Sequence, residues 1–253
     1  MKRIVSAMLI LALCVLLPVQ TAAEPICSAK AAIVIEVVSG TVLYEKNADE
    51  PLPEASTTKI MTALLVLELS DPTQKITISS AAAAVEGSQL GLTAGDTLSV
   101  SDLLYALMLK SGNDAAVALA EGVAGDQATF VKKMNEKAAE LKLNDTQFQN
   151  PHGLPAEGHY TTARDLATLT AVALENARFK KLVSTQKVKL TYKNMIISNS
   201  NKLLYSCDGV FGVKTGFTKA AGRCLVSVAE RKGVQLICVT LNDPNDWEDH
   251  ATL

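Results

Sequence analysis

Apolar positions along this chain recur with two different periods, and the periods divide it into an early sheet, a helical middle and a late sheet. Two β-rich runs, Ala31–Val38 and Thr41–Lys46, flank Ser39-Gly40 and predict a hairpin. Near the other end, "GVFGVKTGFT" and "AGRCLVSVAERKGVQLICVTLN" predict three more strands, the last two joined at Lys232-Gly233. Two early and three late strands suit one antiparallel sheet built from both ends of the chain. Between them the period becomes helical. Thr57 to Leu69, "SVSDLLYALMLK", "NDAAVALAEGVAG" and "DQATFVKKMNEKAAELKL" each carry apolar residues at helical spacing. "TTARDLATLTAVALEN" opens with a capping box, Thr162 to Asp165. The turn-rich "NPHGLPAEGHY" must be a loop. The expected class is α/β in the broad sense, more strictly α+β: a five-stranded antiparallel sheet flanked by helices, with an inserted all-helical lobe.

The first 23 residues follow another logic. Lys2 and Arg3 precede a stretch from Ile4 to Leu17 that is apolar except for Ser6, and Pro18 and the small residues of "QTAA" end it. This is the layout of a secretory signal peptide cleaved after Ala23; the stretch is short for a membrane span. The remainder, 24–253, reads as one domain, with a sheet lobe at about 24–85 and 185–253 and a helical lobe at about 86–184. A leader of this kind implies an exported protein.

Composition narrows the function. The chain has 253 residues, is 48% hydrophobic and carries a formal charge of −2. Loss of Lys2 and Arg3 with the leader would take that to −4. There is no long basic run and only 4% aromatic residues, so no nucleic-acid partner is implied. Four cysteines remain after the leader: Cys27, Cys207, Cys224 and Cys238. Export permits disulfides, yet Cys224 and Cys238 sit in strand-like apolar runs where a free cysteine is a small hydrophobe, and the pairing stays open. No C-x-x-C pair occurs, and His152, His159 and His250 have no metal-ligand spacing, so neither a metal nor another cofactor is expected.

Three short motifs carry the candidate chemistry. Ser56 and Lys59 stand three apart at the head of a helix, so both side chains share one face. The free N–H groups of that turn point towards an incoming anion. A serine hydroxyl needs a base to become a nucleophile. Lysine can be that base only with a lowered pKa, which burial and a second nearby cation both supply. A capped helix with a snorkelling lysine has the same pattern, and S-x-x-K arises about once by chance in a chain this long. A second copy indeed occurs, Ser184 to Lys187, running into the β-branched "VKLTY". Ser111-Gly112-Asn113 is the only S-x-N, in the break between two helices; Lys214-Thr215-Gly216 is the only K-T-G, on a strand. Each could be plain structure, a turn and a glycine-bearing strand. Yet glycine within a strand also marks close approach by another molecule. Together, in this order, they form the signature of penicillin-binding proteins and serine β-lactamases.

Over Ala29 to Asp249 the chain resembles the low-molecular-mass D-alanyl-D-alanine carboxypeptidases, serine peptidases that bind penicillin. The resemblance rests on "ASTTKIMTALLVLE", "LMLKSGNDAAVALAE", "NPHGL", "HYTTARDLA", "NSNKLL", "GVKTGFTKAAGRCLV" and "WED". It implies the penicillin-recognising, β-lactamase-like fold. It implies Ser56 as the acylated nucleophile, Lys59 as its base and Ser111 as a proton relay. Asn113 would bind Lys59 and the substrate's peptide carbonyl. Lys214 would keep Lys59 neutral and, with Thr215, hold the substrate's carboxylate beside Gly216. The N–H groups of Ser56 and Phe217 would form the oxyanion hole. The implied substrate is a peptidoglycan stem peptide ending in D-Ala-D-Ala, with β-lactam antibiotics as covalent inhibitors.

The chain departs from the pattern in places. Phe217 stands where some relatives carry His. No family arginine for the substrate carboxylate has a match; Arg223 is the nearest in sequence. Relatives continue "WED" into a helix packed on the sheet, and many add a β-rich domain and an amphipathic anchor. Peripheral membrane association would therefore rest on segments not in this sequence. Two other readings stand beside the peptidase. A β-lactamase of the same fold would need a carboxylate-held water, and Glu157 lies in the "NPHGLPAEGHY" loop. The other is a non-catalytic cell-wall binding module.

Overall fold

A computed structural model describes residues 27–253; the expected leader and its cleavage after Ala23 lie outside the described residues. In chain order the larger elements are β1 (Ala31–Glu36), β2 (Val42–Lys46), α1 (Lys59–Leu69), α2 (Val100–Leu109), α3 (Asn113–Ala124), α4 (Gln127–Glu140), α5 (Ala163–Glu175), α6 (Ala177–Ser184), β3 (Val210–Thr218), β4 (Gly222–Arg231), β5 (Val234–Leu241) and α7 (Asp246–Thr252). The five strands form one antiparallel sheet in the order β2-β1-β5-β4-β3. The early and late strands meet in its middle, where Ala31 lies opposite Leu241 and Ile33 opposite Val239. The α+β architecture is the expected one.

The first hairpin is shorter than its β-rich runs suggest. The Glu36 carboxylate accepts from the N–H groups of Val38 and Ser39 and from the Ser39 hydroxyl, closing a turn where the ladder would otherwise continue. The capping box of α5 is half made. Thr162 Oγ1 accepts from the Asp165 N–H at 3.0 Å, but the Asp165 carboxylate turns away to the Asp145 N–H and the Thr146 hydroxyl.

Helix α1 is the centre of the molecule. Its residues from Lys59 to Val66 are all buried, so it has no solvent stripe. It packs against α2, α3, α4, α5 and α6, and the short turn at residues 55–58 that precedes it contacts β3 and β4. α5 lies on β1 and β5, α6 on β3, and α7 on β4 and β5. His250 fixes α7: buried, it meets the hydroxyls of Ser227 at 2.7 Å and Thr240 at 3.0 Å. Burial holds its imidazole neutral, with the pKa pushed down to about 3. Cys27, Cys207, Cys224 and Cys238 are free thiols. Among the described residues no helix is long and apolar enough to cross a membrane.

Candidate active site

Ser56 does not lie on the α-helix itself, as the spacing suggested, but on a 3-10 turn, Ala55–Thr58, that leads into α1 at Lys59. Side chains three apart eclipse in such a turn, so Ser56 and Lys59 still face each other. Ala55 enters the turn with φ +50°, a strained conformation for a residue with a Cβ. Its side chain is buried, which holds it there.

Lys59 is fully buried. Its Nζ has three oxygen neighbours: Ser56 Oγ at 2.9 Å, Asn113 Oδ1 at 2.8 Å and the His152 carbonyl at 2.6 Å. Two of these can only accept, while the serine hydroxyl can also donate. The three oxygens can take the three N–H groups of an ammonium; in the neutral amine, two N–H groups go to the Asn113 and His152 oxygens and the lone pair faces the Ser56 hydroxyl. Burial pushes the Lys59 pKa well below the usual lysine range, and the Lys214 charge pushes the same way, against an opposing pull from Asp114.

The second motif is chained to the first. Asn113 opens α3, and its Nδ2 donates to the Glu86 carbonyl at 2.6 Å, which turns Oδ1 towards Lys59. Ser111 takes φ +60° in the break between α2 and α3. Lys214 Nζ donates to Ser111 Oγ at 3.0 Å and to the Thr215 carbonyl at 2.7 Å. Burial lowers the Lys214 pKa to about 7. Ser56, Lys59 and Asn113 thus form one hydrogen-bonded set and Ser111 and Lys214 a second, drawn together from three distant segments.

The two sets open into a cleft of about 320 Å³ whose wall includes Ser56, Ser111, Thr215, Gly216, Phe217 and Arg223. Strand β3 passes so close to Ser56 that a Cβ on Gly216 would sit 3.1 Å from the Ser56 nitrogen. The Phe217 side chain is exposed. Arg223 pairs with Phe217 across the sheet, and its Nε donates to Asp246 at 2.8 Å. Glu157 is elsewhere, lining a neighbouring cavity with Glu54, Gly153 and Thr218.

Residue type alone did not reveal three supports. The His152 main chain supplies one acceptor for Lys59, and its imidazole is pushed down to about 3 by burial and then by the Lys59 charge. Gly153, at φ +87°, packs so tightly that a Cβ would lie 1.8 Å from the Ala55 carbonyl oxygen. That contact presses the "NPHGL" loop onto the 3-10 turn. Asp114 is buried and accepts from the N–H groups of Leu90, Gly91 and Leu92, fixing the loop opposite. Turn-forming residues gave the only sequence signal for the first two.

A family model for D-alanyl-D-alanine carboxypeptidases matches residues 18–245. The chain is 41% identical to the carboxypeptidase DacF of Bacillus subtilis, over 88% of this chain and 59% of that protein. It is 38% identical to DacC of Escherichia coli, over 90% of this chain and 60% of that protein. The chain therefore spans about 60% of the length of these relatives. Among solved structures, a D-alanyl-D-alanine carboxypeptidase from Mycobacterium tuberculosis superposes with a TM-score of 0.87 at 31% identity, covering 93% of this chain and 92% of that one. Penicillin-binding protein D2 from Listeria monocytogenes, in its ampicillin-bound form, gives 0.83 at 33% identity, covering 92% and 98%.

Proposed function

The chain belongs to the D-alanyl-D-alanine carboxypeptidase family, and from that premise we propose that it removes the terminal D-alanine from peptidoglycan stem peptides through an acyl-enzyme on Ser56. The observation that carries the reading is the fully buried Lys59 Nζ, 2.9 Å from Ser56 Oγ, with its pKa pushed well down by burial and then by the Lys214 charge. Lys59 takes that proton as Ser56 Oγ attacks the carbonyl between the two D-alanines. The N–H groups of Ser56 and Phe217 hold the oxyanion, a contribution of roughly 3–4 kcal/mol per donor. Ser111, in contact with Lys214, passes a proton to the departing D-alanine nitrogen. Water then hydrolyses the ester and regenerates Ser56. Asn113 positions Lys59 and, through its remaining N–H, the substrate's peptide carbonyl. Lys214 and Thr215 hold the substrate's free carboxylate; Arg223 lines the same wall but is paired with Asp246.

β-Lactams acylate Ser56 in place of the peptide. Among the described residues, Asp246 is the one carboxylate lining the cleft, and it is engaged by Arg223, while Glu157 lines another cavity. That favours a long-lived adduct and a peptidase over a β-lactamase. The leader read in residues 1–23 places the reaction outside the cytoplasmic membrane, where its substrate lies. The test is incubation with fluorescent penicillin and with a pentapeptide ending in D-Ala-D-Ala. The expected result is one labelled band that outlasts removal of free drug by many minutes, together with D-alanine release. Rapid loss of the label with opened drug would make the protein a β-lactamase, and no label would leave a binding module.

A further inference from the structure

The start of the described chain meets its end at a cluster remote in sequence from the three motifs. Cys27 and Ser28 precede β1, Asp243 follows β5, and Asp249 lies on α7. Cys27 Sγ and one oxygen of each carboxylate lie within 4.8 Å of one another, and all three residues are buried. The Ser28 N–H donates to Asp249 Oδ2 at 2.6 Å, and the Asn245 N–H donates to Asp243 Oδ1 at 3.0 Å. Ser28 Oγ lies 2.9 Å from Asp243 Oδ1 and 2.7 Å from Asp249 Oδ2, with one proton to serve both. Asp243 Oδ2 is left with no hydrogen-bond partner, although Asp243 is completely buried. Among the described residues neither carboxylate forms an ion pair. Lys46 reaches the Cys27 carbonyl at 2.9 Å.

Two buried carboxylates beside a thiol, with one Asp243 oxygen lacking a hydrogen bond, favour a positive charge among them. We propose that Cys27, Asp243 and Asp249 bind one divalent cation of the zinc type, clasping the segment before β1 to the segment after β5. The donor set selects the ion. A thiolate disfavours magnesium and calcium, whereas zinc takes sulfur at about 2.3 Å and carboxylate oxygen at about 2.0–2.2 Å. Closing the three donors to those distances needs small movements, and water completes the tetrahedron. Burial raises the pKa of both the Cys27 thiol and the Asp243 carboxyl. Binding therefore expels the thiol proton, and with it any proton held by Asp243, to solvent.

The test uses purified, reduced protein with zinc or cobalt ions alone as probes. Zinc should bind one per chain in competition with a chromophoric chelator, raise the melting temperature and release protons that calorimetry in different buffers detects. Cobalt should give a thiolate-to-metal charge-transfer band. Cys27→Ser should abolish the band, and both Cys27→Ser and Asp243→Asn should weaken binding by roughly tenfold or more. Cys207→Ser should change neither. Absence of stoichiometric binding, or full affinity in Asp243→Asn, would overturn the site; the carboxylates would then be sharing a proton. A Cys27–Cys238 disulfide in the native protein would also overturn it.

Discussion

The chain carries the S-x-x-K spacing twice, and the two copies share little else. In the first, Lys59 is fully buried, its Nζ is held by three oxygens, and Ser56 faces a cleft. In the second, Ser184 ends α6 and donates its hydroxyl to the Lys181 carbonyl at 3.1 Å, while Lys187 stands exposed on a short strand, Lys187–Lys189. Among the described residues, the Lys187 side chain makes no hydrogen bond or ion pair, and it stays in water. Spacing brings a hydroxyl and an amine together only where the turn continues into a helix, as at Ser56 and Lys59. Under the proposed mechanism it is the removal of water, with Lys214 close by, that would fit one of the two amines to act as a base.

The largest effect should separate the serines. Ser56→Ala is expected to lower the penicillin acylation rate by roughly 10⁴-fold or more, and Ser184→Ala to leave it unchanged; labelling time courses measure both. Unchanged labelling of Ser56→Ala would remove the nucleophile from the proposal.

The lysines come next. Lys59→Ala should cost roughly 10²–10⁴-fold in acylation, the usual range for a general base, and Lys187→Ala nothing. The pH profile sharpens the contrast. Lys59 acts only when neutral, so acylation should rise with pH through a pKa well below that of free lysine. Lys214→Gln removes a charge that lowers this pKa, so the rising limb should move to higher pH. In the wild type, carboxylate-bearing substrates should bind less well as Lys214 loses its proton around pH 7. KM for the peptide across that range reads this directly. A flat acylation profile down to about pH 5 would refute Lys59 as the base.

Much of this arrangement was legible in the sequence, for definite reasons. The five strands show because β-branched runs end at Gly-containing turns. The helices of the middle show because their apolar residues keep a helical period. The first two motifs show because each sits at an element boundary, where the backbone bends and exposes polar side chains; the third lies inside β3, where its glycine lets the strand approach Ser56. The 3-10 turn under Ser56 was not legible, since Ala55–Thr58 differ from helix only in hydrogen-bond register. Nor was the His152 carbonyl, because every residue has one and only tertiary packing aims it. Helix α6 was missed because its eight residues, rich in Lys and Arg, have too short an apolar stripe to read. The bonds of Asp114 to residues 90–92 join segments more than twenty residues apart and leave no local trace.

The two smallest predictions concern neighbours on β3 and ask whether the first copy works through backbone and burial alone. Gly216→Ala would place a methyl 3.1 Å from the Ser56 nitrogen. The turn or the strand must then move by a few tenths of an ångström, and acylation should fall by roughly 10²-fold, as when one oxyanion donor is lost. Phe217→His changes only an exposed side chain, since the role proposed for this position is its N–H group. Its acylation rate should stay within about threefold of wild type, because surface changes away from packed contacts shift free energies by about 0.5 kcal/mol. A large loss in Phe217→His would mean that the aromatic ring itself grips the ligand. The difference between the two S-x-x-K copies would then lie partly in a side chain outside the motifs, rather than in the dry shell around Lys59.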